Sequence, residues 1–338
     1  MHFADEIGPQ LNPVFLQQVL DHYDQGQLLS WNPFLSGWTN VNVHLKTTVG
    51  EFILRLYRSG TRTHRDIALE ISVINHLSRK GLPVARAIQT KSGQDILPVT
   101  LGRKLDAALF SFIPGETRPY PTPSEIEKMG KALAESHLAL QNFHTTHTKK
   151  YFILRQETRR LNDRISRRLQ GEWYYPEVTT REELRALWRK EVVGFSDLDR
   201  RFGKDLRPAQ IIHGDFHPGN IKFEDSEISG IFDFDNLQHA PKVLDLAICL
   251  AQFKFWHAQV APDTLVAVSR PLLAGYEKVT TLTRVERKLL FDLTRFHLWK
   301  QVGWTLKRPT TFDQHSHQEF FLRASLAGIK ELSGLRLG

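Results

Sequence analysis

From residue 41 to residue 57 apolar and polar positions alternate in two runs, V-N-V-H-L-K and E-F-I-L-R-L-Y, on either side of Val49-Gly50. Alternation with period two about a turn predicts a β-hairpin. A short helix is expected before it, over residues 13–22. Residues 64–79 change the period: Ile67, Ile71, Ile74 and Leu77 recur at helical spacing, and Gly81 with Pro83 ends the run. Residues 97–112 return to strand patterning, which I-P-G at 113–115 and the following R-P-Y-P-T-P interrupt. Beyond that break helices dominate. Ser124 with Glu127 reads as a capping box for a helix whose inward positions are Ile126, Met129, Leu133, His137 and Leu140. Residues 151–202 set many Arg and Glu around Leu161, Ile165 and Leu169, the pattern of amphipathic helices with solvated outer faces. The exception in this half is a short hairpin, residues 221–223 and 228–232 around E-D-S-E. The expected class is α+β, with an antiparallel sheet and one main helix in residues 1–112 and a larger helical domain in residues 113–338.

Composition narrows this picture only slightly. The 338 residues suffice for two domains, and 41% hydrophobic with 24% charged residues is ordinary for a globular chain. Lys plus Arg outnumber Asp plus Glu by 45 to 37, a net +8, but the excess is spread along the chain without a basic block, so no nucleic-acid partner is expected. The single Cys249 sits in L-D-L-A-I-C-L-A and reads as a buried thiol, so there is no disulfide framework. Neither a signal-peptide pattern nor an apolar run of membrane-spanning length is found, and a cytoplasmic protein without a membrane partner is expected. Trp299 and Trp304 are expected in the core.

The candidate chemistry lies in I-I-H-G-D-F-H-P-G-N, residues 211–220. Asp215 is followed five positions later by the amide of Asn220, and Asp233 arrives on the far arm of the small hairpin. Two hard oxygen ligands on a tight hairpin suit Mg2+, which keeps several waters and needs no all-protein cage. His213 and His217 have the spacing of a helical zinc pair, yet Gly214, Pro218 and Gly219 argue against a helix, and that reading is rejected. In the first half, Glu70 falls between Ile74 and Leu77 on the apolar side of its helix; a buried carboxylate wants a partner, and Arg55 on the neighbouring strand is the natural one.

The run H-G-D-F-H-P-G-N resembles the phosphotransferases with a protein-kinase-like fold that include aminoglycoside, choline and type II homoserine kinases. The resemblance extends over most of the chain and is dense between residues 211 and 251. It implies a two-lobed fold, ATP and Mg2+ as cofactors, a small hydroxyl compound as acceptor, Asp215 orienting or deprotonating that hydroxyl, and Asn220 and Asp233 on the metal. V-L-D-L-A, with Asp245, corresponds to the family's structural signature. Where the family carries a nucleotide lysine this chain has Arg55, with Glu70 as its ion-pair partner. The turn before the hairpin, with Gly37, Asn40 and Asn42, would cradle phosphates, and residues 109–115, including Phe112, would meet the adenine. His213 is implied to shape the loop, while His217 and Asp235 are candidates for contacts to the acceptor or to the residues that hold the metal. G-L-P-V-A at 81–85 and F-I-P-G-E at 112–116 look most like the homoserine kinase branch. Aminoglycoside and choline-type kinases, and a catalytically inactive nucleotide-binding relative, stand as alternatives; the oligomeric state is open.

Overall fold

The computed structural model describes residues 6–34, 40–58, 60, 62–145, 151–207, 210–256 and 264–335. Two compact units emerge, the first from residues 1–115, 142–148 and 229–232, the second from 116–141, 149–228 and 233–338.

The first unit is an antiparallel sheet with a helix on each face. Its strands are β1 (Leu28–Phe34), β2 (Asn40–Thr47), β3 (Gly50–Tyr57), β4 (Ala87–Ile88), β5 (Leu97–Leu101) and β6 (Arg103–Ser111), in the order β1-β2-β3-β6-β4 with β5 also paired to β6. The expected hairpin is β2–β3, in register from Asn40↔Tyr57 to Thr47↔Gly50. Alternation turns Val41, Val43, Leu45, Leu54 and Leu56 to one face, where they form a core with Leu16, Val19 and Leu20 of α1 (Pro13–Leu20). The opposite face carries Arg55, which reaches α2 (His64–Arg79). Thr63 caps α2 in a box with Asp66, and Ile67, Ile71, Ile74 and Leu77 are buried as their spacing requires. Strand β1 was not anticipated: Pro33 argues against a strand, but β1 lies at the sheet edge, where a missing N–H costs little.

In the second unit, β7 (Glu116–Thr117) pairs with β9 (Ile221–Glu224). The chain then turns through Asp225 and Ser226, both at positive φ, into β10 (Glu227–Ile231), of which residues 229–231 count with the first unit. Strand β8 (Gln210–Ile212) pairs with β11 (Gln238–Ala240). Helices make up the rest: α3 (Pro123–Leu140), α4 (Leu154–Arg168), α5 (Arg181–Phe202), α6 (Val243–Trp256), α7 (Thr264–Glu277), α8 (Arg284–Thr305) and α9 (Phe312–Leu332). All five inward positions proposed for α3 are buried. Its capping box is Thr122 with Glu125 rather than Ser124 with Glu127: Pro123 suits the first helical position, and Glu127 pairs instead with Lys278. Helices α3 and α7 cross so closely that a Cβ on Gly275 would meet the Glu127 carbonyl oxygen at 1.7 Å.

Helix α6 is buried nearly all round, Cys249 included, as expected of a helix apolar on every side. Leu161, Ile165 and Leu169 are buried beneath the charged faces of residues 151–202. Trp299 is core, but Trp304, five residues on and so roughly 140° round the helix, is 41% exposed with the Lys307 ammonium 4.0 Å from its ring. Among the described residues no helix is long and apolar enough to cross a membrane.

Candidate active site

The pairing of β8 with β11 places the chemistry. Ile212 lies opposite Gln238, so the loop that leaves β8 at His213 runs beside the segment 233–237 that enters β11. The approach is close: Gly214 has φ +79, and a Cβ there would meet the Asn236 carbonyl oxygen at 2.0 Å. Both features restrict position 214 to glycine.

Asp245, fully buried on the first turn of α6, fixes this loop from below. Its two carboxylate oxygens accept the backbone N–H groups of His213 (2.8 Å) and Gly214 (2.7 Å), and His137 Nε2 lies 3.0 Å from it. His137 Nδ1 is 2.8 Å from the Tyr276 hydroxyl, so this histidine is the hydrogen-bonded core residue its apolar setting suggested. The His213 ring is buried against Phe216 and Phe234, and its Nδ1 accepts the Asp215 N–H at 3.3 Å. His213 therefore shapes the loop and presents no free nitrogen for a zinc ion at Nδ1.

Asp215 emerges at the loop tip with its side chain held on two sides. Asn236 Nδ2 donates to Oδ2 at 3.2 Å, and Gln252 Nε2, two turns along α6 from Asp245, donates to Oδ1 at 3.3 Å. Burial pushes the Asp215 carboxyl up from its ordinary value; the nearby His213 and these two donors pull the other way. His217 accepts the Gly219 N–H through Nδ1 at 3.0 Å, which leaves its Nε2 facing Asp215 Oδ1 at 3.8 Å. Burial, assisted by His213 and opposed by Asp233, pushes His217 down to about 4, so it is neutral at neutral pH.

Asn220 is buried, and its Nδ2 donates to the Asp215 carbonyl at 2.9 Å; the amide is thereby oriented, with Oδ1 as the atom left to ligate. Asp233 adopts the left-handed conformation (φ 64°, ψ 60°), a sparsely populated region for a residue with a side chain, at the start of the single turn 234–236 that holds buried Asp235. A carboxylate and an oriented amide oxygen are the hard donors that Mg2+ accepts.

In the first unit, Arg55 Nη1 donates to Glu70 Oε1 at 2.6 Å and Nε donates to Asn42 Oδ1 at 3.0 Å. Glu70 is fully buried, so the carboxylate on the apolar helix face has the partner expected of it. Asn42 holds the guanidinium plane, a contact a lysine ammonium would make without that directionality. Asn40 is buried at the start of β2. Phe112 donates its N–H to the Glu51 carbonyl at 3.1 Å, and its ring stacks on His44 at 4.5 Å. Gly37 lies outside the described residues.

Sequence reasoning missed Gln252. The signal was available, because Asp245 and Gln252 are the i and i+7 polar residues on one side of an otherwise apolar stretch.

Residues 30–282 match the phosphotransferase enzyme family. The chain belongs to that family. Among its members, the phosphotransferase is 32% identical over 299 residues to a homoserine kinase of Chelativorans sp., covering 84% of this chain and 85% of that protein. It is 29% identical over 298 residues to a homoserine kinase of Xanthobacter autotrophicus, covering 86% of each. In three dimensions the phosphotransferase is similar to the amicoumacin kinase hAmiN in complex with AMP-PNP, Ca2+ and Ami, with a TM-score of 0.66 at 15% identity over 96% of both chains. The kinase-like α+β fold is thus established, and the expected class, a small-molecule kinase, is the class of these relatives.

Proposed function

We propose that this phosphotransferase moves the γ-phosphoryl group of ATP to the hydroxyl of homoserine in a Mg2+-dependent reaction. The observation that carries the acceptor is the similarity to homoserine kinases along 84% of the chain. The net charge of +8 also suits a zwitterionic acceptor better than a polycationic aminoglycoside.

In this reading Arg55, braced by Glu70 and Asn42, holds nucleotide phosphate oxygens, and Asn220 and Asp233 hold the metal, which offsets phosphate charge when bound. Phe112 and the β6 end contact the adenine. Asp215 accepts a hydrogen bond from the acceptor hydroxyl and aims its oxygen at the phosphorus. A carboxylate is a weak base, but in a loose transition state the proton departs late, so alignment counts for more than basicity. The two amides that grip Asp215 supply that alignment, and neutral His217 beside it adds no competing charge.

A phosphate-transfer screen with ATP and Mg2+ over homoserine, choline, ethanolamine and aminoglycosides tests the proposal. Homoserine should give the highest kcat/KM by at least tenfold; a higher value for choline or an aminoglycoside would overturn the acceptor assignment.

A further inference from the structure

Three aromatic rings gather on the sheet face that carries Arg55: Phe34 at the end of β1, His44 on β2 and Phe112 just beyond β6. Phe34 lies opposite Asn42, Asn42 opposite Arg55 and His44 opposite Ile53, so alternation sets Phe34, His44 and Arg55 on the same side. The His44 ring is 4.5 Å from the Phe112 ring at 18° and 6.3 Å from the Phe34 ring at 13°, so each neighbouring ring runs nearly parallel to the imidazole. Phe34 is 43% exposed, and His44 and Phe112 are half-buried, so none of the three is sealed in the core.

Glu51 ties this group together. Its Oε2 lies 2.7 Å from His44 Nε2, and its backbone carbonyl accepts the Phe112 N–H at 3.1 Å. Glu51 Oε1 is in turn 3.4 Å from Lys46 Nζ. One residue therefore fixes both the imidazole and the point from which the Phe112 side chain departs. A hydrogen bond at the edge of a ring is directional and sets the ring plane, which packing alone leaves looser. His44 is also one strand repeat, about 7 Å, from Asn42, whose Oδ1 accepts from Arg55 Nε. A nucleotide with its phosphates at Arg55 can lay its base along this same face.

We propose that His44 and Glu51 are positioning residues of the nucleotide site: Glu51 sets the His44 ring, and His44 holds the Phe112 ring in the plane on which the purine base stacks. The proposal rests on the reading that Phe112 contacts the adenine, and it names the residues that make Phe112 a fixed platform. Stacking on an aromatic face recognises the flat ring system of a base. The phosphates are left to Arg55.

The test is calorimetric titration of ATP with Mg2+ into the full chain, with inorganic tripolyphosphate, which has no base, titrated in parallel. His44→Ala should weaken ATP binding at least tenfold and leave tripolyphosphate within a factor of two. Glu51, whose side chain is 41% exposed, can be changed without disturbing the core. Glu51→Ala should show the same selective loss at an unaltered melting temperature, and Glu51→Gln, which keeps an acceptor for His44, should restore most of the affinity. Equal losses for ATP and tripolyphosphate would reduce His44 to a structural part and overturn the proposal, as would a Glu51→Gln variant no better than Glu51→Ala. Phe112→Ala separates the proposal from the reading beneath it. If Phe112→Ala weakens ATP and His44→Ala does not, the base meets Phe112 without help from His44, and the proposal alone falls. If neither weakens ATP, or the wild type binds ATP no tighter than tripolyphosphate, the adenine reading falls with it.

Discussion

The carboxylate of Asp245 accepts the backbone N–H of Gly214 at 2.7 Å across a separation of 31 residues. With its other oxygen on His213, Asp245 binds the loop that carries Asp215 to the buried helix α6. Asparagine at 245 would turn an NH2 toward one of these two donors and leave a buried N–H unsatisfied. Asp245→Asn should cost about 1–3 kcal/mol and lower kcat as the Asp215 loop loosens. Thermal melts and steady-state rates check this, and an unchanged melting temperature would contradict it.

Arg55 and Glu70 form a buried ion pair whose partners cannot be removed equally. Arg55→Met takes the guanidinium away from buried Glu70, at a cost of about 3–5 kcal/mol. Arg55→Lys retains the charge but gives up the fork that reaches Asn42 as well as Glu70, and should cost less. Melting temperatures should fall in the order wild type, Lys, Met, with the KM for ATP rising in the Lys variant. A Met variant as stable as wild type would refute the buried-pair account.

Asp215 should dominate the acid limb of the pH profile. Its burial raises the carboxyl pKa, and the amides of Asn236 and Gln252 counter the rise. Turnover needs the ionised form, so activity is present above this pKa and lost as pH falls through it. Gln252→Leu removes one donor of similar size, raises the pKa further and moves the acid limb of kcat to higher pH. A limb that stays in place or moves to lower pH would contradict the role given to Gln252.

Asp233 keeps a left-handed backbone conformation that glycine adopts without penalty. Asp233→Gly should therefore stabilise the fold by about 1 kcal/mol while abolishing metal-dependent turnover. Greater stability with lost activity would support the proposed metal-holding role of Asp233; lower stability would show that the side chain braces the turn instead.

Much of this was legible in the sequence because the relevant physics is local. The β2–β3 alternation, the α2 period and the burial of Glu70 follow from which residues share a face. What escaped depends on pairings between distant segments. Pro33 disguised β1 because its tolerance comes from an edge position that only the assembled sheet defines. Thr122 capped α3 in place of Ser124 because Lys278, 151 residues from Glu127, claimed that glutamate. The grip of Gln252 on Asp215 needs α6 to pass beneath a loop 37 residues earlier in the chain. The hairpin was expected to gather Asn220 and Asp233; the β8–β11 ladder, which the sequence did not announce, in addition sets the Asp215 loop beside residues 233–237.

Substitution of the one carboxylate proposed to aim the acceptor hydroxyl, Asp215, tests its role most directly. Asp215→Asn preserves size and can still meet Gln252, so the fold and nucleotide binding should persist. The measurement is ADP formation in the presence of ATP, Mg2+ and homoserine, with the Kd for ATP determined on the same preparation. The expected result is a kcat lowered by at least a thousandfold with the Kd for ATP within a factor of three of wild type. Turnover at the wild-type rate would contradict the assignment.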